Sequence, residues 1–156
     1  MAVGRLDFDM PRSKKSDGLT LLGRSEERIP ESPEKARLET FPNPAQRDYS
    51  IHFETDDFTS LCPVTGQADF ARIEIDYAPD AVCIESKSLK FYLAAYRNVR
   101  AFNEAVTNRI LDDFVAACTP RRATITAQFS ARGGIALTVR AEHTAAKNKR
   151  SGRNGR

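Results

Sequence analysis

Apolar and polar residues alternate with a period of two at four places along the chain and with a period near 3.6 at two others. Tyr49, Ile51 and Phe53 alternate with Ser50, His52 and Glu54, and Ile73, Ile75 and Tyr77 alternate with Arg72, Glu74 and Asp76. Both runs predict half-buried strands, pairing as antiparallel neighbours. From Ser86 the spacing lengthens: Leu89, Leu93 and Tyr96 share one face, and Phe102, Val106, Ile110 and Phe114 recur every fourth residue. These predict two amphipathic helices, the second stopped by Pro120, which has no N–H to continue the ladder. Ala123, Ile125, Ala127 and Phe129 then alternate with Thr124, Thr126 and Gln128, and beyond Arg132-Gly133-Gly134 a further strand turns Ile135, Leu137 and Val139 one way. The order strand, strand, helix, helix, strand, strand predicts an α+β layer with both helices on one face of an antiparallel sheet.

A chain of 156 residues is long enough for one domain with its own core, and the pattern occupies residues 46–141. Residues 1–45 are rich in charge, Ser and Pro, with Pro30, Pro33, Pro42 and Pro44, and read as an extended, partly disordered arm. Residues 142–156 read as a basic disordered tail. Its five cations, Lys147, Lys149, Arg150, Arg153 and Arg156, stand in a closing stretch, residues 141–156, whose only acid is Glu142. Of the total charge of +3, that stretch contributes +4 and the remaining 140 residues −1. A near-neutral body argues against a nucleic-acid groove in the fold. No run approaches the ~20 apolar residues of a membrane span, and the first residues, with Asp7 and Asp9, lack the apolar stretch of a secretion signal, so the expectation is a cytoplasmic protein. Three cysteines, Cys62, Cys83 and Cys118, show no CxxC spacing, and two histidines stand far apart, so neither a disulfide framework nor a metal is expected.

Two segments carry candidate chemistry. In Thr59-Ser60-Leu61-Cys62-Pro63-Val64-Thr65-Gly66-Gln67-Ala68-Asp69, a lone thiol sits in a turn-rich loop seven residues before a carboxyl group. A thiolate adds to an electrophilic carbon and a positioned acid protonates the group that gains charge, so Cys62 and Asp69 are a candidate nucleophile and general acid. The thiol needs donors to lower its pKa, and Thr59, Ser60 and Thr65 are at hand. Taken alone, Cys62 fits a small core residue and Asp69 a surface turn equally well. In Glu85-Ser86-Lys87-Ser88-Leu89-Lys90-Phe91-Tyr92, two lysines and two hydroxyls gather at a helix start, a setting for a phosphate or simply a solvated cap. Glu104 opens the second helix, where a carboxylate pairs with a guanine-like edge or with the helix dipole.

Together these segments resemble the nitrile reductases that convert 7-cyano-7-deazaguanine to 7-aminomethyl-7-deazaguanine on the route to queuosine in tRNA. The resemblance covers roughly residues 44–140. It implies the tunnelling fold, whose members form ring-shaped homo-oligomers, stacked pentamers among them, with pockets between subunits. It further implies Cys62 as the nucleophile that forms a thioimide, Asp69 as the acid, and Glu104, Glu85, Ser86 and Asn103 at the deazapurine substrate. NADPH is the implied cofactor, held by Lys87, Ser88 and Lys90 of the Glu-Ser-Lys-Ser signature and by Arg132 of Arg132-Gly133-Gly134-Ile135. Three positions depart from the family. Asn103 stands where histidine is usual, Val106 where many members carry a cysteine able to pair with the nucleophile, and Val99-Arg100 where His-Gly is common. Two other readings stay open: a paralogue that resolves the thioimide with an amine or water, and a weakly catalytic deazapurine-binding subunit.

Overall fold

A computed structural model describes residues 19–21 and 28–146. The six periodic runs form the elements they predict, and two short strands join them. In chain order the elements are β1 (Thr40–Pro42), β2 (Ile51–Leu61), β3 (Ala68–Ala78), β4 (Val82–Ile84), α1 (Ser86–Ala94), α2 (Asn103–Cys118), β5 (Arg122–Arg132) and β6 (Ile135–Thr144). The main sheet has the order β2-β3-β5-β6 with every neighbouring pair antiparallel, so two hairpins meet at β3 and β5 and the helices are inserted between them.

The core lies between one sheet face and the helices. Ile73, Ile75 and Tyr77 from β3 and Ile125, Ala127 and Phe129 from β5 meet Val106, Ile110 and Phe114 of α2. Tyr77 and Phe114 pack edge to face at 4.9 Å. Burying each large side chain contributes about 1.5–3 kcal/mol, which is why the fourfold spacing on α2 fixes its orientation.

Four details differ from the sequence expectation. The first strand begins at Ile51 rather than Tyr49, and its register slips between Thr55 and Phe58. This bulge inserts Asp56 and Asp57 and returns Phe58 to the core face, so a period-two count breaks there. Tyr96 lies on a 3-10 turn, Ala95–Asn98, that follows α1. The arm is ordered where it is described from Arg28 onward: Pro33 and Glu39 are buried, and β1 pairs with β4 through Thr40–Ile84, Phe41–Cys83 and Pro42–Val82. Strands of three residues are too short to show a period. At the other end β6 runs to Thr144, three residues into the expected tail, whose residues 147–156 lie outside the described residues. Among the described residues no helix is long and apolar enough to cross a membrane.

Candidate active site

The loop between β2 and β3 is closed by its own backbone. The Cys62 amide donates to Gln67 O at 2.8 Å and the Gly66 amide to Cys62 O at 2.9 Å, with Gly66 at φ +71°. That left-handed turn suits glycine because a Cβ costs about 1–2 kcal/mol there. The ring of the loop faces the half-buried Cys62 sulfur with donors: the Thr65 hydroxyl, the Thr65 and Val64 amides, and the Arg132 guanidinium. Together they lower the thiol pKa to about 7, the Thr65 hydroxyl contributing most and desolvation opposing. Cys83 and Cys118 differ sharply. Both are buried, and burial pushes Cys118 up to about 12.

Asp69, the second residue of β3, is buried, and its Oδ1 lies 3.0 Å from Nε of Arg132. Arg132 also donates from Nη2 to Ala68 O at 2.9 Å. The expected nucleophile and acid are therefore brought to one point, with Arg132 between them. Arg132 was expected at cofactor phosphates; here its guanidinium is engaged by the loop and the acid. The fold also brings up the second helix. Leu61 donates to Val99 O at 2.9 Å and accepts from the Ala101 amide at 3.2 Å, so the chain entering α2 is pinned one residue from Cys62. Phe102 caps that helix, half-buried Asn103 is its first residue, and Glu104 follows with an exposed carboxylate that has no partner among the described residues.

The signature segment lies elsewhere. β3 ends at Ala78, α1 starts beside that end, and α1 with its 3-10 turn leads back toward Leu61 over a length of roughly 20 Å. Glu85, Ser86, Lys87, Ser88 and Lys90 thus lie on or beside α1, a separate element from the loop that carries Cys62. Glu85 is 5 % exposed, and its carboxylate accepts from the Lys87 amide at 2.8 Å and the Ser88 amide at 2.7 Å. It is the N-cap of α1, and it occupies two of the helix's first amides. Ser88 is fully buried, donating to Glu85 O at 2.8 Å and accepting from the Glu39 amide at 2.9 Å. Its hydroxyl thus links the helix start to the arm at Glu39. The Lys87 ammonium donates to Leu21 O, where the arm is held by Glu39 accepting from the Thr20 and Leu21 amides.

Ser86 and Lys90 remain exposed and line a cavity of about 460 Å³ between α1 and β2, walled by Phe53, Ile75, Leu89 and Leu93. The slot is apolar within and carries the Ser86 hydroxyl, the Lys90 ammonium and the carboxylates of Glu54 and Asp57 among its lining groups. Sequence reasoning had missed Arg100, whose guanidinium lies over Gly66 close enough that a Cβ there would sit 3.0 Å from Nη2. Nothing in the one-dimensional pattern points to it, since the contact depends on the Leu61 bridge.

An α+β fold that presents a donor-ringed thiol near a buried carboxyl group has the groups that an enzyme acting on an electrophilic carbon would use. Comparison with known proteins narrows the class. The model of the QueF-like protein family matches residues 68–148. A protein of Nitrosospira multiformis named NADPH-dependent 7-cyano-7-deazaguanine reductase is 57% identical over 116 residues, 74% of this chain and 83% of the relative. Its namesake in Nitrosomonas europaea is 61% identical over 108 residues, 69% and 78% of the two chains. The crystal structure of an archaeosine synthase QueF-Like in the apo form superposes with a TM-score of 0.58 at 22% identity, covering 62% of this chain and 95% of that one, a likeness of fold alone. The chain belongs to the QueF-like family.

Proposed function

We propose that this chain reduces the nitrile of 7-cyano-7-deazaguanine to the primary amine, 7-aminomethyl-7-deazaguanine, as a step toward queuosine in tRNA. The observation that carries the reading is the Cys62 loop: a thiol with pKa about 7, ringed by donors, beside a buried carboxyl group. Relatives named for this activity are more than half identical over 116 and 108 residues.

In this reading the Cys62 sulfur adds to the nitrile carbon while Asp69 gives a proton to nitrogen. Atoms balance: an S–C bond forms, one π bond of C≡N breaks and an N–H bond forms. NADPH supplies two hydrides, the four electrons separating nitrile from amine. Lys90 holds it at the slot along α1, with Lys87 beside it, and Ser86 meets the deazapurine. Glu104 pairs with the N–H edge of the deazapurine, and a base lacking those donors leaves its carboxylate unpaired and is rejected. Asn103 donates and accepts hydrogen bonds but does not titrate near neutral pH, so proton transfer rests on Asp69.

As the family resemblance implies pockets between subunits, the reading joins the slot of one copy to the Cys62 loop of another. It therefore includes a homo-oligomer. It also implies a cytoplasmic setting, in keeping with three free thiols.

The test is intact-mass analysis of the protein with 7-cyano-7-deazaguanine, followed by NADPH while nicotinamide absorbance is recorded. The reading expects an adduct on Cys62 that clears as NADPH is consumed at two equivalents per nitrile. An adduct that persists with NADPH favours the amine- or water-resolved paralogue, and binding with no adduct favours the binding subunit.

A further inference from the structure

Two residues with no exposed surface, Thr107 and Ser88, have hydroxyls that donate to backbone carbonyls, of Asn103 and Glu85, each at 2.8 Å. Ser60 is as fully buried, yet its hydroxyl has no partner among the described residues. Leaving a buried hydroxyl unmet is costly, and such a group calls for a reason. Its position supplies one. Ser60 is paired with Asp69 across the β2–β3 ladder, and Phe58 with Ala71 further along the same two strands. Directly opposed residues of an antiparallel pair share a face, and all four of these are buried, so hydroxyl and carboxyl group stand on the core side together. Their Cβ atoms are about 4.5–5.5 Å apart in such a pair, within reach of two short polar side chains. Arg132 Nε lies 3.0 Å from Oδ1 of Asp69, which leaves Oδ2 to carry a proton with that pair in place.

We propose that Ser60 is a positioning residue for the acid: its hydroxyl is the donor that meets the Asp69 carboxylate as the proton passes to the nitrile nitrogen. This rests on the reductase reading for the role of Asp69. A protonated carboxyl group is a weak acceptor, whereas a carboxylate accepts strongly from a hydroxyl. As the proton leaves, negative charge grows on Oδ2 beside a hydroxyl that has no bond to give up. Turning that hydroxyl takes one step between the staggered wells of a short side chain. A donor that is met only as charge develops favours the transition state over the ground state, the condition under which a hydrogen bond raises the rate.

The step balances. The Cys62 thiolate forms its S–C bond as one π bond of C≡N breaks, the Asp69 O–H breaks and an N–H bond forms, and the single negative charge passes from sulfur to the carboxylate. Ser60 keeps its own proton throughout, and Arg132 stays where it is. No oxidant or reductant takes part in this half of the reaction.

The experiment compares the parent with Ser60→Ala, Ser60→Thr and Ser60→Val. Two rates are followed at neutral pH without NADPH: formation of the Cys62 adduct with 7-cyano-7-deazaguanine, which needs the acid, and alkylation of Cys62 by iodoacetamide, which does not. For Ser60→Ala the adduct rate is expected to fall roughly tenfold, the loss of one hydrogen bond to a charged group, while alkylation keeps the parent rate and the urea midpoint does not drop. Threonine and valine share one shape and differ in the hydroxyl, so any crowding is common to both. Ser60→Thr is expected to form the adduct roughly tenfold faster than Ser60→Val, with equal alkylation. Equal adduct rates for those two, or a Ser60→Ala adduct rate equal to the parent's, overturn the proposal. A joint fall of adduct formation, alkylation and urea midpoint in Ser60→Ala assigns the residue to packing and overturns it as well. A parent that forms no adduct overturns the reductase reading itself, and the role of Ser60 falls with it.

Discussion

Leu61 and Arg100 form a lone parallel bridge outside the strands, and it fastens the nucleophile loop to the start of α2. Through it the loop and the helix carrying Asn103 and Glu104 move as one piece. The bridge also explains how two departures from the family pattern, Val99 and Arg100, are accommodated: Val99 contributes a backbone carbonyl, which any residue supplies, and Arg100 turns its side chain over Gly66.

Gly66→Ala puts a Cβ on a backbone at φ +71° and within 3.0 Å of the Arg100 guanidinium. Because the arginine can shift, the strain comes mainly from the backbone, about 1–2 kcal/mol. A lower urea midpoint and slower alkylation of Cys62 are expected together. Unchanged alkylation in a destabilised protein would mean that the loop does not orient the sulfur.

Cys62 has its pKa lowered to about 7, so its thiolate fraction, and with it the alkylation rate, is expected to rise through pH 7 rather than through the ordinary range near 8.5. For a thiol depressed in the folded state, the associated stability is full above the unfolded value and is lost as pH falls through about 7. Thr65→Val removes the largest cause and is expected to move the alkylation midpoint upward. Cys83 and Cys118 are expected to stay unmodified in the native protein, and peptide mapping after iodoacetamide checks all three.

Glu85→Ala strips the cap from α1, leaving the amides of Lys87 and Ser88 without their acceptor. A loss of about 0.5–2 kcal/mol is expected. Thermal unfolding measures it, and a melting temperature equal to the parent's would show that the cap does not hold α1.

Ser60 lies across the β2–β3 ladder from Asp69, fully buried, and its hydroxyl is the one buried side-chain polar atom among the described residues that has no partner. An unmet hydroxyl costs about 1–3 kcal/mol, so Ser60→Ala is expected to hold or raise stability. Urea unfolding decides; a clear loss would show that the hydroxyl is bonded in solution.

Much of this architecture could be read from the chain because its strands are half-buried and its second helix repeats an apolar residue every fourth position. Phe58 escaped that reading since Asp56 and Asp57 break the alternation, and β1 and β4 escaped it because three residues show no period. In the site, Cys62 and Asp69 were legible as residue types at a workable spacing. What joins them was not: Arg132 comes from a strand more than sixty residues later, and its contact follows from the slip in the β5–β6 ladder. Glu85 and Ser88 carry side chains suited to ligands, and only their burial reveals that the helix start has taken them for itself.

Mixing Cys62→Ala with Lys90→Ala subunits under conditions of exchange tests whether a site is shared. Each variant alone is expected to be nearly inactive, and the mixture is expected to regain activity from sites that draw Cys62 and Lys90 from different chains. A mixture as inactive as its components would confine the site to one chain.

If the slot along α1 serves the thiol of a neighbouring copy, as proposed, each chain brings half of two different sites. In an open row of copies the terminal halves go unmatched, whereas a closed arrangement, dimer or ring, matches every half. On that reading closure sets how many working centres each copy yields, and a newly made chain gains its activity only with its neighbours.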